Sequence, residues 1–385
     1  MAYSRVRHGA PVARGLKPCA AERMTMASKT VLVAGASGLV GYAALKHFSR
    51  QPDTAVIALS RRPPPPGVAA RHLALDLTDA AACRDAAATL SSVTHLVYAA
   101  LFELPGLVEG WRNDRQIDTN DRMLRNLLGP LLTAAPGLQH VTLLQGTKAY
   151  GVHVRPLAVP AREGRSEMRE QPNFYWAQED YLRTTRAGRD WGFTILRPVL
   201  IVGEAIGGAM NLIPALGAHA AVMRERGPIL PYPGGAERVS QAVDADLLAR
   251  AIAWAGETPA ARDETFNVTN GDVFTWPNIW PAIADAVGMR PGSDEPFLLQ
   301  SLQRDDWDRA RQRFGLTSPA LMDFVGLSLE YADYQMRYGH TDPGPPSIVS
   351  TIKINQAGFH DVMDTETMFR KWFKLFQQKR LLPPP

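Results

Sequence analysis

Residues 29–48 read KTVLVAGASGLVGYAALKHF, and this stretch decides the fold. Val31, Leu32 and Val33 form a short continuous apolar run, the pattern of a strand buried on both faces. Gly35, Gly38 and Gly41 follow with two residues between each, and the chain then changes to a helical pattern. Each glycine has a physical reason in a nucleotide-binding turn. The first permits the tight turn, the second lets backbone approach a pyrophosphate, and the third lets helix and strand pack closely. The amino terminus of the following helix offers unpaired N–H groups and a positive dipole end to the phosphates. Three spaced glycines alone are a weak signal; in a strand–loop–helix setting near the start of a domain they are a strong one.

Outward from this unit the alternation continues. Strand patterns recur in TAVIALS from residue 54, in RHLALDLTD up to Asp76, and at 93–101, 140–146 and 193–203, with a helical stretch, DTNDRMLRNLLGPLL, among them. Strands alternating with helices predict an α/β fold, a Rossmann-type doubly wound parallel sheet whose ligands lie beyond the carboxyl ends of the strands. The expected organisation is a disordered tail at 1–28 and a nucleotide-binding core at 29–203, with the sheet completed by about 239–272. A smaller, mostly helical substrate-binding cover is expected at 204–238 and 273–385.

The turn after the second strand selects the nucleotide. NAD enzymes often place an acidic residue about twenty positions beyond the last glycine, to hold the ribose hydroxyls. Here Ser60, Arg61 and Arg62 occupy that place. Two arginines can clamp a 2′-phosphate through forked, charge-assisted hydrogen bonds, so NADPH/NADP+ is the expected cofactor. A solvated basic turn is the plain alternative. The expected cofactor contacts are Gly35, Ser37, Gly38, Leu39 and Val40 in the loop, then Ser60, Arg61, Arg62, Asp76 and Leu77, then Ala99, Pro198 and Ile201 at later strand ends. Asp76 can accept a hydrogen bond from the adenine amino group.

Composition sets the outer limits. The chain has 385 residues, 45% hydrophobic and 21% charged, an ordinary globular balance for one large domain or two smaller ones. The net charge of +4 is scattered, with no basic stripe carrying interleaved aromatics, so no nucleic-acid partner is expected. Two cysteines, Cys19 and Cys83, make no disulfide framework, which fits a reducing, cytoplasmic compartment. No His-x-x-x-His or Cys-x-x-Cys pair occurs, and no metal site is expected. Residues 1–28 hold five Lys/Arg and one acidic residue but no apolar run of signal-peptide length. They read as a tail, as an over-called start with Met24 or Met26 as the natural one, or as a transit peptide. Residues 205–223 lack Asp, Glu, Lys and Arg, but Gly207, Gly208, Pro214 and Gly217 interrupt them. A buried helix or a lid over a pocket is expected there rather than a membrane span.

The catalytic reading turns on QPNFYWAQEDYL, residues 171–182. Pro172 or Asn173 can begin a helix that carries Tyr175. A reductase of this architecture would then have a lysine four residues on, but position 179 is Glu179. A carboxylate cannot replace it, because it would raise the tyrosine pKa. The one Tyr-x-x-x-Lys pair, Tyr42 and Lys46, lies in the helix beneath the pyrophosphate and reads as chance. Lys148 directly follows the fifth strand, at the edge where the reacting ring should lie. Its ammonium could hold the nicotinamide ribose and lower the pKa of Tyr175. The plain alternative is a surface lysine and a core tyrosine.

LQGTKAYG (144–151), NFYWAQED (173–180) and FNVTNGDVFTW (266–276) together closely resemble the progesterone 5β-reductase/iridoid synthase family of atypical extended short-chain dehydrogenases. The likeness runs over about 28–385 and includes SRRP (60–63), NDRMLRNLL (120–128), LRPVLIVG (196–203), AMNLI (209–213) and VDADLLA (243–249). The resemblance implies that Lys148 and Tyr175 match the family's lysine and tyrosine, the lysine standing ahead of the tyrosine. It implies NADPH-dependent reduction of the carbon–carbon double bond of an enone or enal, the substrate being a small molecule. The pattern departs at Trp176, where the family has a second tyrosine, and at Ala149, where it has histidine. The glutamine–lysine segment is shortened to Gln145-Gly146-Thr147-Lys148, and His153 and Val154 stand where a phenylalanine is usual.

The cover is expected to line the substrate pocket with His153, Met210 and Phe324. Residues 318–336 read as one amphipathic helix whose Phe324, Leu327 and Leu329 either line the pocket or pack the core. Asn267 and Asp272 read as turn formers. Phe369, Trp372, Phe373 and Phe376, at helical spacing, read as core. Two other functions stay open: an extended dehydrogenase acting on a carbonyl or nucleotide-sugar, and a non-catalytic NADP(H) sensor with a protein partner. A monomer or homodimer is expected.

Overall fold

Val31, Leu32 and Val33 form the strand their composition predicts. β1 (Lys29–Ala34) is buried from Thr30 onward and pairs on both sides. The computed structural model describes residues 28–385. The tail expected at 1–28 lies outside the described residues apart from Ser28, as does Cys19. Around β1 stand β2 (Thr54–Ser60), β3 (Arg71–Ala74), β4 (His95–Tyr98), β5 (His140–Leu144), β6 (Gly192–Pro198) and β10 (Glu264–Val268). All seven are parallel, in the order β10-β6-β5-β4-β1-β2-β3.

Side-chain alternation divides β1 between two cores. Leu32 and Ala34 point into a layer with α2 (Asp114–Ala134) and α3 (Phe174–Arg186). Val31 and Val33 point into the opposite layer with α1 (Leu39–Phe48) and α5 (Ala245–Glu257). Covering both faces is what a parallel sheet requires, and each buried aliphatic side chain contributes about 1.5–3 kcal/mol. A third core joins α4 (Leu212–Arg226), two short strand pairs and the carboxyl-terminal helices. In α8 (Thr365–Gln378), Phe369, Trp372, Phe373 and Phe376 are buried in it, as their spacing predicts.

Several boundaries differ from expectation, each for a local reason. The run at 193–203 is two strands. Pro198 has no N–H to extend the ladder, and β7 (Leu200–Val202) leaves to pair with β9 (Ala242–Asp244). β8 (Ile229–Tyr232) pairs likewise with β11 (Arg290–Asp294). The helix expected at 318–336 is broken into α6 (Leu321–Val325) and α7 (Ser328–Gln335). Gly326 stands between them at φ +56°, where a Cβ would come within 2.4 Å of the Gly208 carbonyl oxygen. Asn267 is a buried residue of β10, not a turn former; its side chain joins the Tyr150 hydroxyl to the Ala161 and Ser350 carbonyls. Asp272 accepts from the backbone and hydroxyl of Thr365 at the start of α8. The uncharged stretch 205–223 becomes a loop followed by α4, whose residues from Leu212 to Val222 are all buried. Among the described residues no helix is long and apolar enough to cross a membrane.

Candidate active site

The chain order of the strands reverses at β1, with β2 on one side and β4 on the other, and a cleft opens beyond their carboxyl ends. Its floor is the glycine turn. Gly35 holds φ +82°, and a Cβ there would meet the Ala99 carbonyl oxygen at 2.6 Å. At Gly41 a Cβ would sit 2.1 Å from the Gly35 oxygen, so α1 packs against the turn only because residue 41 is glycine. No side chain caps α1 and its first turn holds no acidic residue, which leaves its amino end turned to the cleft. The cleft measures about 400 Å³. Gly35, Ser37, Gly38, Leu39, Val40, Ser60, Arg61, Arg62, Asp76, Leu77, Ala99, Tyr175, Pro198 and Ile201 all line it; Lys148 does not.

The far wall of this cleft is shaped for a basic turn. The Ser60 hydroxyl donates to the Arg62 carbonyl at 2.6 Å and so folds the turn back on itself. Arg61 and Arg62 are exposed on it, and no ion pair engages either among the described residues. The Asp76 carboxylate is held below its usual range by the backbone N–H and hydroxyl of Thr78, at 2.9 and 2.8 Å. The cradle therefore fits a dinucleotide: glycine backbone for the diphosphate, and two guanidinium groups at the ribose end.

Tyr175 stands at the other end, where the cleft meets a second chamber of about 130 Å³. Its helix begins at Asn173, whose side chain accepts from the Tyr175 N–H at 3.1 Å. The phenol lies over Gly146, where a Cβ would come within 3.3 Å of its oxygen. Lys148 enters the second chamber from the short turn Thr147–Tyr150 that follows β5. Its Nζ lies 4.6, 5.6 and 5.7 Å from the ring centres of Trp111, Phe174 and Tyr175, and 3.8 Å from Glu103 Oε1.

Glu179, in the place of the missing lysine, faces away from the site. It is buried and takes hydrogen bonds from Arg169 at 2.8 Å and Arg183 at 3.0 Å, with Arg197 at 3.4 Å. Arg197 also bonds Gln145 at 2.8 Å, and Gln145 donates to the Tyr175 carbonyl at 3.2 Å. The substituted position has become part of the scaffold that holds the tyrosine helix. The Tyr42/Lys46 pair is likewise elsewhere: Lys46 bonds Glu204 at 2.9 Å, and neither residue lines the cleft or the chamber.

The electrostatics reverse one expectation. Burial pushes the Tyr175 phenol well above its ordinary value, the Glu103 carboxylate pushes it further, and only Arg197 opposes. Burial lowers the Lys148 ammonium, and Glu103 opposes that. Glu103 is itself raised by burial, against Lys148 and the Gln116 amide at 2.8 Å. Lys148 thus answers a carboxylate, and the tyrosine is held protonated rather than acidified.

Two expected pocket residues are misplaced. Phe324 is fully buried in the core, stacked on Trp307 at 5.0 Å, because Gly326 ends its helix before the chamber. His153 lies edge-on behind Trp111, ring centres 6.0 Å apart, and lines a separate surface hollow. Met210 lines both cavities. The residues missed were Glu103, Trp111, Arg238, Tyr331 and Tyr334. An acidic residue just past β4 in LFELPG, and two tyrosines at helical spacing in LEYADYQ, were the available signals.

Residues 75–320 match the family model of the PRISE-like Rossmann-fold domain. An (S)-8-oxocitronellyl enol synthase of Antirrhinum majus is 28% identical over 380 residues, 91% of this chain and 92% of that protein. The short chain dehydrogenase gsfE of Penicillium aethiopicum is 28% identical over 389 residues, 92% and 99% of the two chains. The (S)-8-oxocitronellyl enol synthase ISY2 of Nepeta cataria is 30% identical over 318 residues, 76% of this chain and 78% of that protein. Among solved structures, a short-chain dehydrogenase/reductase superfamily protein from Agrobacterium tumefaciens superposes with a TM-score of 0.61 at 17% identity, covering 91% and 98%. UDP-glucose 4-epimerase from Brucella ovis does so at 0.63 and 18%, also covering 91% and 98%. At these identities the structural likeness speaks for the fold.

Proposed function

The chain belongs to the PRISE-like Rossmann-fold family of short-chain dehydrogenases/reductases, and from that premise we propose that it reduces the carbon–carbon double bond of an α,β-unsaturated carbonyl compound with NADPH. The observation that carries the reading is the meeting of two cavities at one phenol. The dinucleotide cleft and the smaller chamber share Tyr175, and Lys148 reaches that junction from a strand end instead of the tyrosine helix.

The glycine turn, Arg61, Arg62 and Asp76 would hold the cofactor, which supplies a hydride to the β-carbon when bound. What the chain's own residues do follows from their state. As hydride arrives, negative charge gathers on the carbonyl oxygen of the substrate. Tyr175 donates a hydrogen bond to that oxygen, and the Lys148 ammonium adds its field across the aromatic cage of Trp111 and Phe174. A phenol held protonated by burial suits this role, because it stabilises an enolate by donation while the α-carbon takes its proton from water. Relatives named enol synthases fit the same step, since an enol is that enolate protonated on oxygen. Tyr331 and Tyr334 line the chamber beside the developing charge.

The test is NADPH oxidation with 2-cyclohexen-1-one, followed by product identification. Cyclohexanone is expected. 2-Cyclohexen-1-ol would make the protein a carbonyl reductase, and tight NADPH binding without turnover of any enone would favour a sensor.

A further inference from the structure

The second chamber contains a cation that the reaction does not use. Arg238 lines it together with Lys148, Tyr175, Tyr331 and Tyr334. Its guanidinium donates to Gln335 Oε1 at 3.3 Å and leans on the Tyr334 hydroxyl, while its buried Nε has no partner among the described residues. No carboxylate stands within ion-pair distance of it among those residues. The contrast is Arg197, fully buried, which is neutralised by Glu167 at 2.7 Å and Glu179 at 3.4 Å. Among the described residues Glu330 lines a further hollow with Arg238 but makes no ion pair with it. Glu103 faces Lys148, and Asp333 accepts from the backbone of Leu299 and Gln300 at 2.8 and 3.1 Å. Burial disfavours the charged guanidinium, and Arg337 adds repulsion. A half-buried arginine in this state gains most from an anion that reaches it.

Arg238 also lines a surface hollow of about 270 Å³ beside the chamber, which it shares with Arg155 and Arg337. Arg155 is paired only loosely, with exposed Glu170 at 3.5 Å, and Arg337 donates to the Asp342 carbonyl at 2.9 Å. Arg155 and Arg337 thus join Arg238, which lines both hollow and chamber, and the three guanidinium groups attract anions toward it.

We propose that the substrate is an anionic enone, one bearing a carboxylate that Arg238 binds while its carbonyl oxygen meets Tyr175. This rests on the reductase reading above and adds a substrate class to it. Tyr175 and Arg238 line one chamber, so a single small molecule can touch both. A guanidinium offers a carboxylate two parallel donors in a planar fork.

The probes are 6-oxooct-7-enoate, its methyl ester, and the saturated acid 6-oxooctanoate. With wild-type protein, kcat/KM is expected to favour the acid over the ester. In Arg238→Gln that acid-over-ester ratio should fall about 10–100-fold, the usual worth of a charge-assisted hydrogen bond, mainly through KM. Arg238→Lys should recover part of it. Binding of 6-oxooctanoate to the NADP+-loaded protein, measured by calorimetry, should weaken by a similar factor in Arg238→Gln and recover partly in Arg238→Lys. The binding arm does not depend on turnover. If the saturated acid binds through Arg238 but neither enone is reduced, the anion site stands and the reductase reading falls. If both enones are reduced with no preference for the acid, or Arg238→Gln leaves the ratio and the binding unchanged, the anion site falls and the reductase reading stands.

Discussion

Tyr175 is a donor that burial keeps protonated, and Lys148 is an ammonium held by a carboxylate. Two predictions belong to these residues. Tyr175→Phe should retain NADPH binding and slow reduction of a weakly activated enone by ~10²–10⁴-fold, since the enolate oxygen loses its donor. A reactive enal should suffer less. Stopped-flow hydride transfer with both substrates checks this, and a wild-type rate on the weak enone would remove Tyr175 from the site. The second concerns Glu103. Its carboxylate raises the pKa of both Lys148 and Tyr175, so Glu103→Gln should lower both. The basic limb of the kcat–pH profile should then move to lower pH, because Lys148 loses its proton earlier. An unmoved basic limb would mean that the carboxylate does not govern this pair.

At the scale of elements, each piece of the cradle is shaped by a turn rather than by a helix or strand interior. The β2 turn is the sharpest case. Ser60 folds it, and Arg61 and Arg62 are exposed on it without ion pairs among the described residues. Replacing both arginines by alanine should weaken NADPH far more than NADH, because only the 2′-phosphate loses partners. Fluorescence titration with each cofactor decides it, and equal losses would place the 2′-phosphate elsewhere. The tyrosine helix shows the complementary case. Its start is set by the Asn173 cap and its position by the Glu179–Arg197–Gln145 network, so a residue that breaks the usual tyrosine–lysine pattern supports the tyrosine from behind.

At the scale of the whole molecule, four histidines are packed neutral into the fold. Burial is the largest cause in each case, lowering His95, His153 and His219 to about 4 and His140 to about 3. In the unfolded chain each titrates at 6.5. A lowered folded pKa means stability that is complete above the unfolded value and lost as pH falls toward the folded one. The unfolding free energy should therefore decline between pH 6.5 and about 4, by more than about 1 kcal/mol per pH unit. Urea denaturation across that range tests it; a flat profile would show that the imidazoles charge without opening the fold.

The sheet was legible in the chain because its signals are local. A run of aliphatic residues buries a strand whatever lies far away, and spaced glycines are needed wherever backbone crosses backbone, as at Gly35 beneath Ala99. The glycine turn, the arginine turn and the position of Tyr175 at the head of its helix were readable for the same reason. What the tertiary structure decided is everything that depends on partners distant in sequence. Phe324 and Tyr331 lie seven residues apart, on either side of Gly326, and both pack in one core, yet only Tyr331 also lines the chamber. Glu103 meets Lys148 across 45 positions, and it adds to the burial that already pushes the tyrosine opposite to the expected direction. Arg238 reads as one more surface arginine until the fold places it beside Tyr331 and Tyr334 with no carboxylate in reach among the described residues. Hydrophobic periodicity and turn chemistry act over a few residues, whereas desolvation and Coulomb interaction depend on which groups the completed fold brings together.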